Sequence, residues 1–396
     1  NMLAHPCEGA TGIFEDPSAP ETKRFKAMGG HMQWIDPDEG LPIENDDIQV
    51  RLEAEQEEGA QYEGPRAAIH GRMTGWTSPD RLTWTKIEKP LAMRPVNGGV
   101  SARYDEKRGN YFAYIQLMGY RNDVLDGIGN DRVEDGIQVR TIGVSRTEDF
   151  GSWPAPKLVH HPDAEDDPDI SFYGANYFNY PGRDDLHGMH VPVYHHIADT
   201  IDGQIAFSRD GLYWTRPERR ACLPLGAEGE GDDCIAHYWR SGIVELPDGS
   251  WGCPYTGNSV IHCVDGEGEF AKLFPGKRPT QIRWALWRPN RFCGIRAEDE
   301  GRFTMPTLFR SHDELQVNYR CDAGGWIEIE LLDKLSLLHP DSDATPGFSF
   351  DECDRLTGND ENRVVTWKGK KDISAVGESV AIRVRLYGAK LFAYRV

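Results

Sequence analysis

Hydrophobic and polar positions alternate along this chain in short runs that Gly, Pro and Asp interrupt, the period-two signature of half-buried strands. Three stretches share one layout. His70–Met73 leads into Thr77-Ser78-Pro79-Asp80-Arg81-Leu82-Thr83-Trp84, Gln138–Val144 leads into Ser145 to Trp153, and Gln204–Ser208 leads through Arg209-Asp210-Gly211 to Trp214. Each reads as a strand, a Ser or Thr, an Asp at a turn and then a large aromatic. The three Trp residues stand 69 and 61 residues apart. Self-similarity at a near-constant period marks a repeat architecture, and this spacing fits the blades of a β-propeller that carries long loops.

The same pattern predicts further strands around Phe25–Met28, Tyr111–Leu117, Trp251–Tyr255, Val260–Val264 and Arg283–Arg288. Residues 36–66 are acidic and flanked by Pro and Gly, and read as a long loop or short hairpin. Beyond Ala297-Glu298-Asp299-Glu300-Gly301 the strands become regular: Leu315–Tyr319, Trp326–Leu331, Val364–Trp367, Val380–Leu386 and a last run, Leu391–Val396. Such spacing suggests a β-sandwich. The expected organisation is therefore all-β: a propeller over 1–298 and a C-terminal sandwich over 299–396. Residues 1–90, 91–160, 161–225 and 226–298 make about four repeat units. The start at Asn1 leads us to expect a fifth blade, completed by an upstream segment or a second chain.

Composition narrows the function. The chain has 396 residues with 42 Gly and 25 Pro, too rich in turns for a helical protein. Its 11 Trp and 15 Tyr serve a β core first and sugar-stacking surfaces second. A net charge of −20 provides no basic stripe for nucleic acid. No run of about 18 apolar residues suits a membrane span, so neither nucleic acid nor membrane is an expected partner. The eight cysteines form no CxxC pair, which argues against structural zinc and for scattered thiols.

The segment Ser208-Arg209-Asp210-Gly211-Leu212-Tyr213-Trp214, the stretch Ser145 to Trp153, and the tail segments Gly347–Asp360, Val364–Ser374 and Ala381–Val396 resemble five-bladed β-propeller glycoside hydrolases with a C-terminal β-sandwich, the clans of invertases, fructanases and arabinanases. Phe14-Glu15-Asp16-Pro17 resembles the Asn-Asp-Pro nucleophile motif of the invertases, with Glu15 in place of Asn. The resemblance implies an exo-acting glycosidase on an oligosaccharide substrate, neutral or anionic. It requires no cofactor, and a structural Ca or Na ion in the channel is compatible with it. Self-pairing sheet edges make a homo-oligomer a further expectation.

Glycoside hydrolysis needs two carboxyl groups about one anomeric carbon. The catalytic candidates are Asp16 before a Pro turn, Asp105 in a hairpin, Asp169 ahead of Ile170-Ser171-Phe172-Tyr173, and Asp233 ahead of Cys234-Ile235-Ala236-His237. A strand over His190–His196 sets His190, Tyr194 and His196 on one face, and these, with His237, Arg240 and Arg209, are the substrate-binding candidates. Asp210 and Asp149 belong to the repeat turns. Three alternatives stay open: a glycoside phosphorylase holding phosphate with Arg and His, a uronic-acid lyase working through His and Tyr, and a carbohydrate-binding propeller without catalysis.

Overall fold

The computed structural model describes residues 10–35, 68–93, 99–121, 132–133, 136–238, 242–262, 271–276, 278–332 and 342–396. The chain is nearly all β, and among the described residues helix is confined to single short turns such as Glu21–Lys23 and Phe350–Glu352. None of these helices is long and apolar enough to cross a membrane. The loop predicted over 36–66 lies outside the described residues, as does Arg240.

Two compact units are present, Asn1–Glu245 with Gly252–Ala285, and Leu246–Trp251 with Leu286–Val396. The first unit is a succession of antiparallel meanders. β1 (Ala10–Glu15), β2 (Phe25–Ile35), β3 (Ala68–Ser78), β4 (Thr85–Lys86) and β5 (Ala92–Met93) form one sheet. β6 (Val100–Asp105), β7 (Asn110–Arg121), β8 (Arg132–Val133), β9 (Gly136–Thr147) and β10 (Lys157–His160) form a second. The third holds β11 (Ile170–Phe172), β12 (Asn176–Asn179), β13 (His187–His195) and β14 (Thr200–Ser208), followed by β15 (Ile235–Tyr238), β16 (Val244–Glu245), β17 (Trp251–Asn258) and β18 (Thr280–Trp287). Its two halves join where Ile201 pairs in parallel with Ile235.

The leading strands of successive meanders lie side by side. Thr11 Oγ1 accepts the Val100 N–H at 2.8 Å, and Ser101 Oγ accepts the Tyr177 N–H at 3.1 Å. A Cβ added to Gly12 would stand 3.2 Å from the Ala102 Cβ and the Val100 carbonyl, so glycine permits that approach. Between the sheets sit two apolar clusters. Phe14, Met73, Tyr111, Phe150 and Trp153 fill one; Phe112, Tyr114, Ile142, Tyr177, Val191 and Trp214 fill the other.

Two of the three repeated turns share one hydrogen-bond scheme. Asp80 Oδ1 takes the N–H groups of Leu82 and Thr83 (2.8 and 2.7 Å) and the Ser78 hydroxyl (3.1 Å). Asp210 Oδ1 takes those of Leu212, Tyr213 and Ser208 (2.8, 2.9 and 3.0 Å). Trp214 then packs edge-on against Tyr114, at 5.5 Å between ring centroids. The motif is a backbone cap followed by a sheet-to-sheet wedge.

The second unit differs from the many short strands expected of it. Its sheet has three long strands and one short one, β19 (Ile295–Phe309), β22 (Ser379–Arg395), β20 (Gln316–Leu332) and the six-residue β21 (Asn359–Val364), in that spatial order. Leu315–Tyr319 and Trp326–Leu331 belong to β20 apart from Leu315, which immediately precedes it, with a register shift between Cys321 and Trp326. Ala323-Gly324-Gly325 reads as a turn but makes this bulge. Gly324 has φ +81°, and a Cβ on Gly325 would stand 2.2 Å from the Gly388 carbonyl. Likewise Val380–Leu386 and Leu391–Arg395 are parts of β22. In the first unit β17 ends at Asn258, and Val260 lies in the bend that follows rather than in a strand.

Candidate functional site

The strand directions divide the sequence candidates between two ends of the first unit. β1, β6 and β12 finish in tight hairpins at one end; β13 and β14 join at the other, where β11 and β15 begin. Along β13, His187 and His195 are separated by eight residues, roughly 26 Å of extended chain. Asp16, Asp105 and Arg209 fall at the hairpin end. Asp169, Tyr194, His196, His237 and Asp233 fall at the other.

At the hairpin end the carboxylates are already engaged. Asp16 is fully buried, with Lys26 Nζ at 2.8 Å, the Tyr111 hydroxyl at 2.5 Å and the Ser18 hydroxyl at 2.6 Å. Burial alone would raise its pKa, but the bonds from Lys26, Ser18 and Tyr111 outweigh it and hold the carboxyl below its usual range. Asp105 is likewise held low: its burial is outweighed by Arg108, whose guanidinium sits at 2.7 Å. Arg209 pairs with Asp185 across an exposed turn at 2.5 Å. The structure places these three in committed hydrogen bonds and ion pairs at the hairpin end, apart from the other candidates.

Two further candidates are absorbed elsewhere. Asp233 accepts the Ser259 hydroxyl and the Gly229 N–H (3.0 Å), and these outweigh its burial to keep it ionised, so it braces the loop before β15. His190 lies mid-strand with no exposed surface, its ring 4.7 Å from Phe178, and burial pushes its pKa down to about 3. It is a neutral core residue and does not join His196 in a site.

What the strand starts do assemble is a cluster centred on Tyr173. Its N–H donates to the Pro192 carbonyl at 2.8 Å, which fixes it beside β13. The hydroxyl of this half-buried tyrosine stands 2.5 Å from His262 Nε2. His262 Nδ1 faces Asp199 Oδ1 at 3.9 Å, and the His262 N–H donates to the Asp199 carbonyl at 3.0 Å. Asp199 Oδ1 also accepts the Tyr194 hydroxyl at 2.6 Å. Asp199 sits in the β13–β14 turn at φ +54°, a left-handed position that Asp tolerates well. The buried Arg140 guanidinium, from β9, lies 5.1 Å from both the Tyr173 and the Tyr194 ring centres. The rings of His196 and His237 close the sides, 4.7 Å from Tyr194 and 6.2 Å from Tyr173.

Asp169 stands at the rim of this end. Its carbonyl accepts the His196 N–H at 2.9 Å and its Oδ2 accepts the Ile197 N–H at 3.2 Å. The site thus unites Tyr194, His196, His237 and Asp169 with three residues absent from the sequence candidates, Tyr173, Asp199 and Arg140, and with His262. A signal for Tyr173 existed, since it follows four residues after Asp169 in an aromatic strand. Nothing local marks Arg140 or Asp199. Among the described residues no group of three His, Cys, Asp or Glu is arranged to hold a metal ion. The six described cysteines are free thiols.

No family model and no curated protein matches this chain. Solved structures do align with it. A glycosyl hydrolase from Bacteroides ovatus aligns at 10% identity and TM-score 0.42, over 71% of this chain and 67% of its own. A β-1,2-mannobiose phosphorylase from Listeria innocua in complex with β-1,2-mannobiose aligns at 11% and 0.40, over 72% and 74%. An N-acetylgalactosamine deacetylase from F. plautii, in complex with blood group B trisaccharide, aligns at 12% and 0.40, over 72% and 91%.

Proposed function

We propose that the protein is a carbohydrate-active enzyme that breaks a glycosidic bond, with Tyr173 and His262 as its proton-transferring pair. The observation that carries this reading is the 2.5 Å contact between the Tyr173 hydroxyl and His262 Nε2, with the Asp199 carboxylate behind the ring. A phenol so placed can pass its proton to the imidazole, and Asp199 stabilises the resulting imidazolium. Arg140, against both tyrosine rings, favours the phenolate electrostatically.

This set suits elimination on a uronic-acid glycan. The Tyr173 phenolate takes the proton beside the sugar carboxylate, electrons move to form the C4–C5 double bond, and the C4–O bond breaks. The His262 imidazolium returns its proton to the departing oxygen, which restores both residues. Arg140 stabilises the charge that develops at the carboxylate end. No cofactor enters the scheme. Hydrolysis is the second reading, and the observation that favours it is Asp169, a buried carboxylate at the same strand end. There His262 would act as acid and Asp169 as the base on water.

A panel of neutral and uronic-acid oligosaccharides decides between them. Elimination yields an unsaturated product that absorbs in the ultraviolet; hydrolysis yields new reducing ends without that absorbance. Tyr173→Phe is expected to lower kcat/KM about 10²- to 10⁴-fold while thermal unfolding stays unchanged, the range of a lost general acid or base. Full activity in Tyr173→Phe would overturn the site.

A further inference from the structure

The hairpin end carries a cleft of about 590 Å³ that the catalytic cluster does not use, lined by Tyr104, Phe112, Tyr177, Asn179, Tyr180 and His187 among others. Its volume is that of a small-molecule site. One hydrogen-bond chain organises its polar wall. The Tyr177 hydroxyl donates to Asn179 Oδ1 at 2.5 Å, and His187 Nδ1 lies 2.8 Å from the Tyr177 hydroxyl oxygen. The phenol has a single proton, so Nδ1 must be the donor to it, and His187 Nε2 is left as an acceptor. Burial, helped by Arg108 nearby, holds the pKa of His187 below its ordinary value and keeps that acceptor unprotonated. Asn179, whose oxygen is taken, keeps its amide N–H groups to give.

The charged lining is largely committed within the protein. Lys107 pairs with Asp184 at 3.3 Å, Asp105 with Arg108 at 2.7 Å, and Arg183 with Asp185 at 2.8 Å. Arg103 donates to the Ala102 carbonyl at 2.9 Å. What remains for a ligand is an imidazole acceptor, an amide donor, aromatic faces and the Glu106 and Glu245 carboxylates, a set that recognises hydroxyl groups on a ring with an apolar face and repels an anionic one.

We propose that this cleft is a second carbohydrate-binding site, specific for an uncharged sugar and separate from the Tyr173 cluster. The test is calorimetric titration of the full chain with neutral hexasaccharides of glucose, mannose and xylose. At least one should bind, Tyr173→Phe should leave its affinity unchanged, and Asn179→Ala and His187→Ala should each weaken it about tenfold, the worth of one hydrogen bond. Asn179 is exposed, so its variant keeps the test available where His187→Ala fails to fold. Absence of binding by every hexasaccharide, or binding that the cleft variants leave intact, overturns the proposal. Turnover by the Tyr173 site is read separately and is expected to survive both cleft variants on short substrates.

Discussion

The two ends of the first unit are made from the same strands and the same kinds of side chain, but they dispose of charge in opposite ways. At the hairpin end Asp16, Asp80, Asp105 and Asp210 each sit within a tight turn, where backbone N–H groups, hydroxyls or a neighbouring cation satisfy them. At the other end Asp199 sits in a turn just as short, between the paired His195 and Thr200, yet its carboxylate reaches past that turn to Tyr194 of the preceding strand and to His262 from a connection distant in sequence. A short hairpin places its acceptor next to its own donors, so local bonds form first. At Asp199 the carboxylate is instead directed to partners outside its turn. The difference separates acids that hold the architecture from the acid that the proposed proton transfer uses.

The largest effect expected at the hairpin end is therefore on stability. Asp16→Asn removes the partner of a Lys26 ammonium that is itself buried and would be left as an uncompensated charge. The expected loss is about 3–5 kcal/mol of unfolding free energy, the range for breaking one side of a buried ion pair. Measured by urea unfolding, it should come with unchanged turnover in whatever fraction stays folded. A variant that stays fully stable but inactive would erase the contrast between the two ends, and would return Asp16 to the nucleophile role that its Asp-Pro context suggests.

A second effect, confined to acid pH, belongs to the strands between the ends. His160 stacks on Phe172 at 4.7 Å and His190 lies against Phe178; burial lowers the pKa of each from 6.5 to about 3. Between those values the unfolded chain binds protons that the folded one refuses. The stabilisation is thus complete above 6.5 and is lost as pH falls towards 3, by about 1.4 kcal/mol per pH unit for each ring. Replacing both by Met should flatten the acid limb of an unfolding profile. His195 works the other way, because its bond to Asp202 at 3.1 Å raises its pKa, so its contribution is present below 6.5 and fades as pH rises through the folded value. An acid limb that is equally steep in the double variant would show that these rings do not titrate as the buried pair.

How much of this the sequence disclosed follows from how local each cause is. The repeat turns were legible because Ser, Asp and Trp stand within seven residues and act on one another. Strand periodicity disclosed the meanders for the same reason. It misjudged the second unit, because Gly324 and Gly325 have the same composition in a bulge as in a turn, and only the approach of the Gly388 carbonyl distinguishes them. The cluster at Tyr173 was half visible. Tyr194, His196 and His237 declared themselves as aromatic and imidazole density on strands. Arg140 reaches the site from β9 and Asp199 from the β13–β14 turn, and no spacing in the chain encodes that meeting.

The smallest effect tests the boundary between the ends most sharply. Arg209 follows the strand that starts beside Asp199, and in sequence it stands in the segment that most resembles the propeller glycoside hydrolases. In the fold it is some eight residues further along β14, at the hairpin end, with its guanidinium on an exposed Asp185. A surface pair of this kind is worth roughly 0–1 kcal/mol. Arg209→Ala should accordingly shift the urea midpoint barely, and should leave kcat/KM within a factor of two of the wild type (about 0.4 kcal/mol). Were substrate to be held by a chain running the length of the unit, the same variant would raise KM with kcat unchanged. That result would join the two ends into one extended binding surface, and the neutral-sugar cleft beside Asp185 would become the far subsite of the Tyr173 centre.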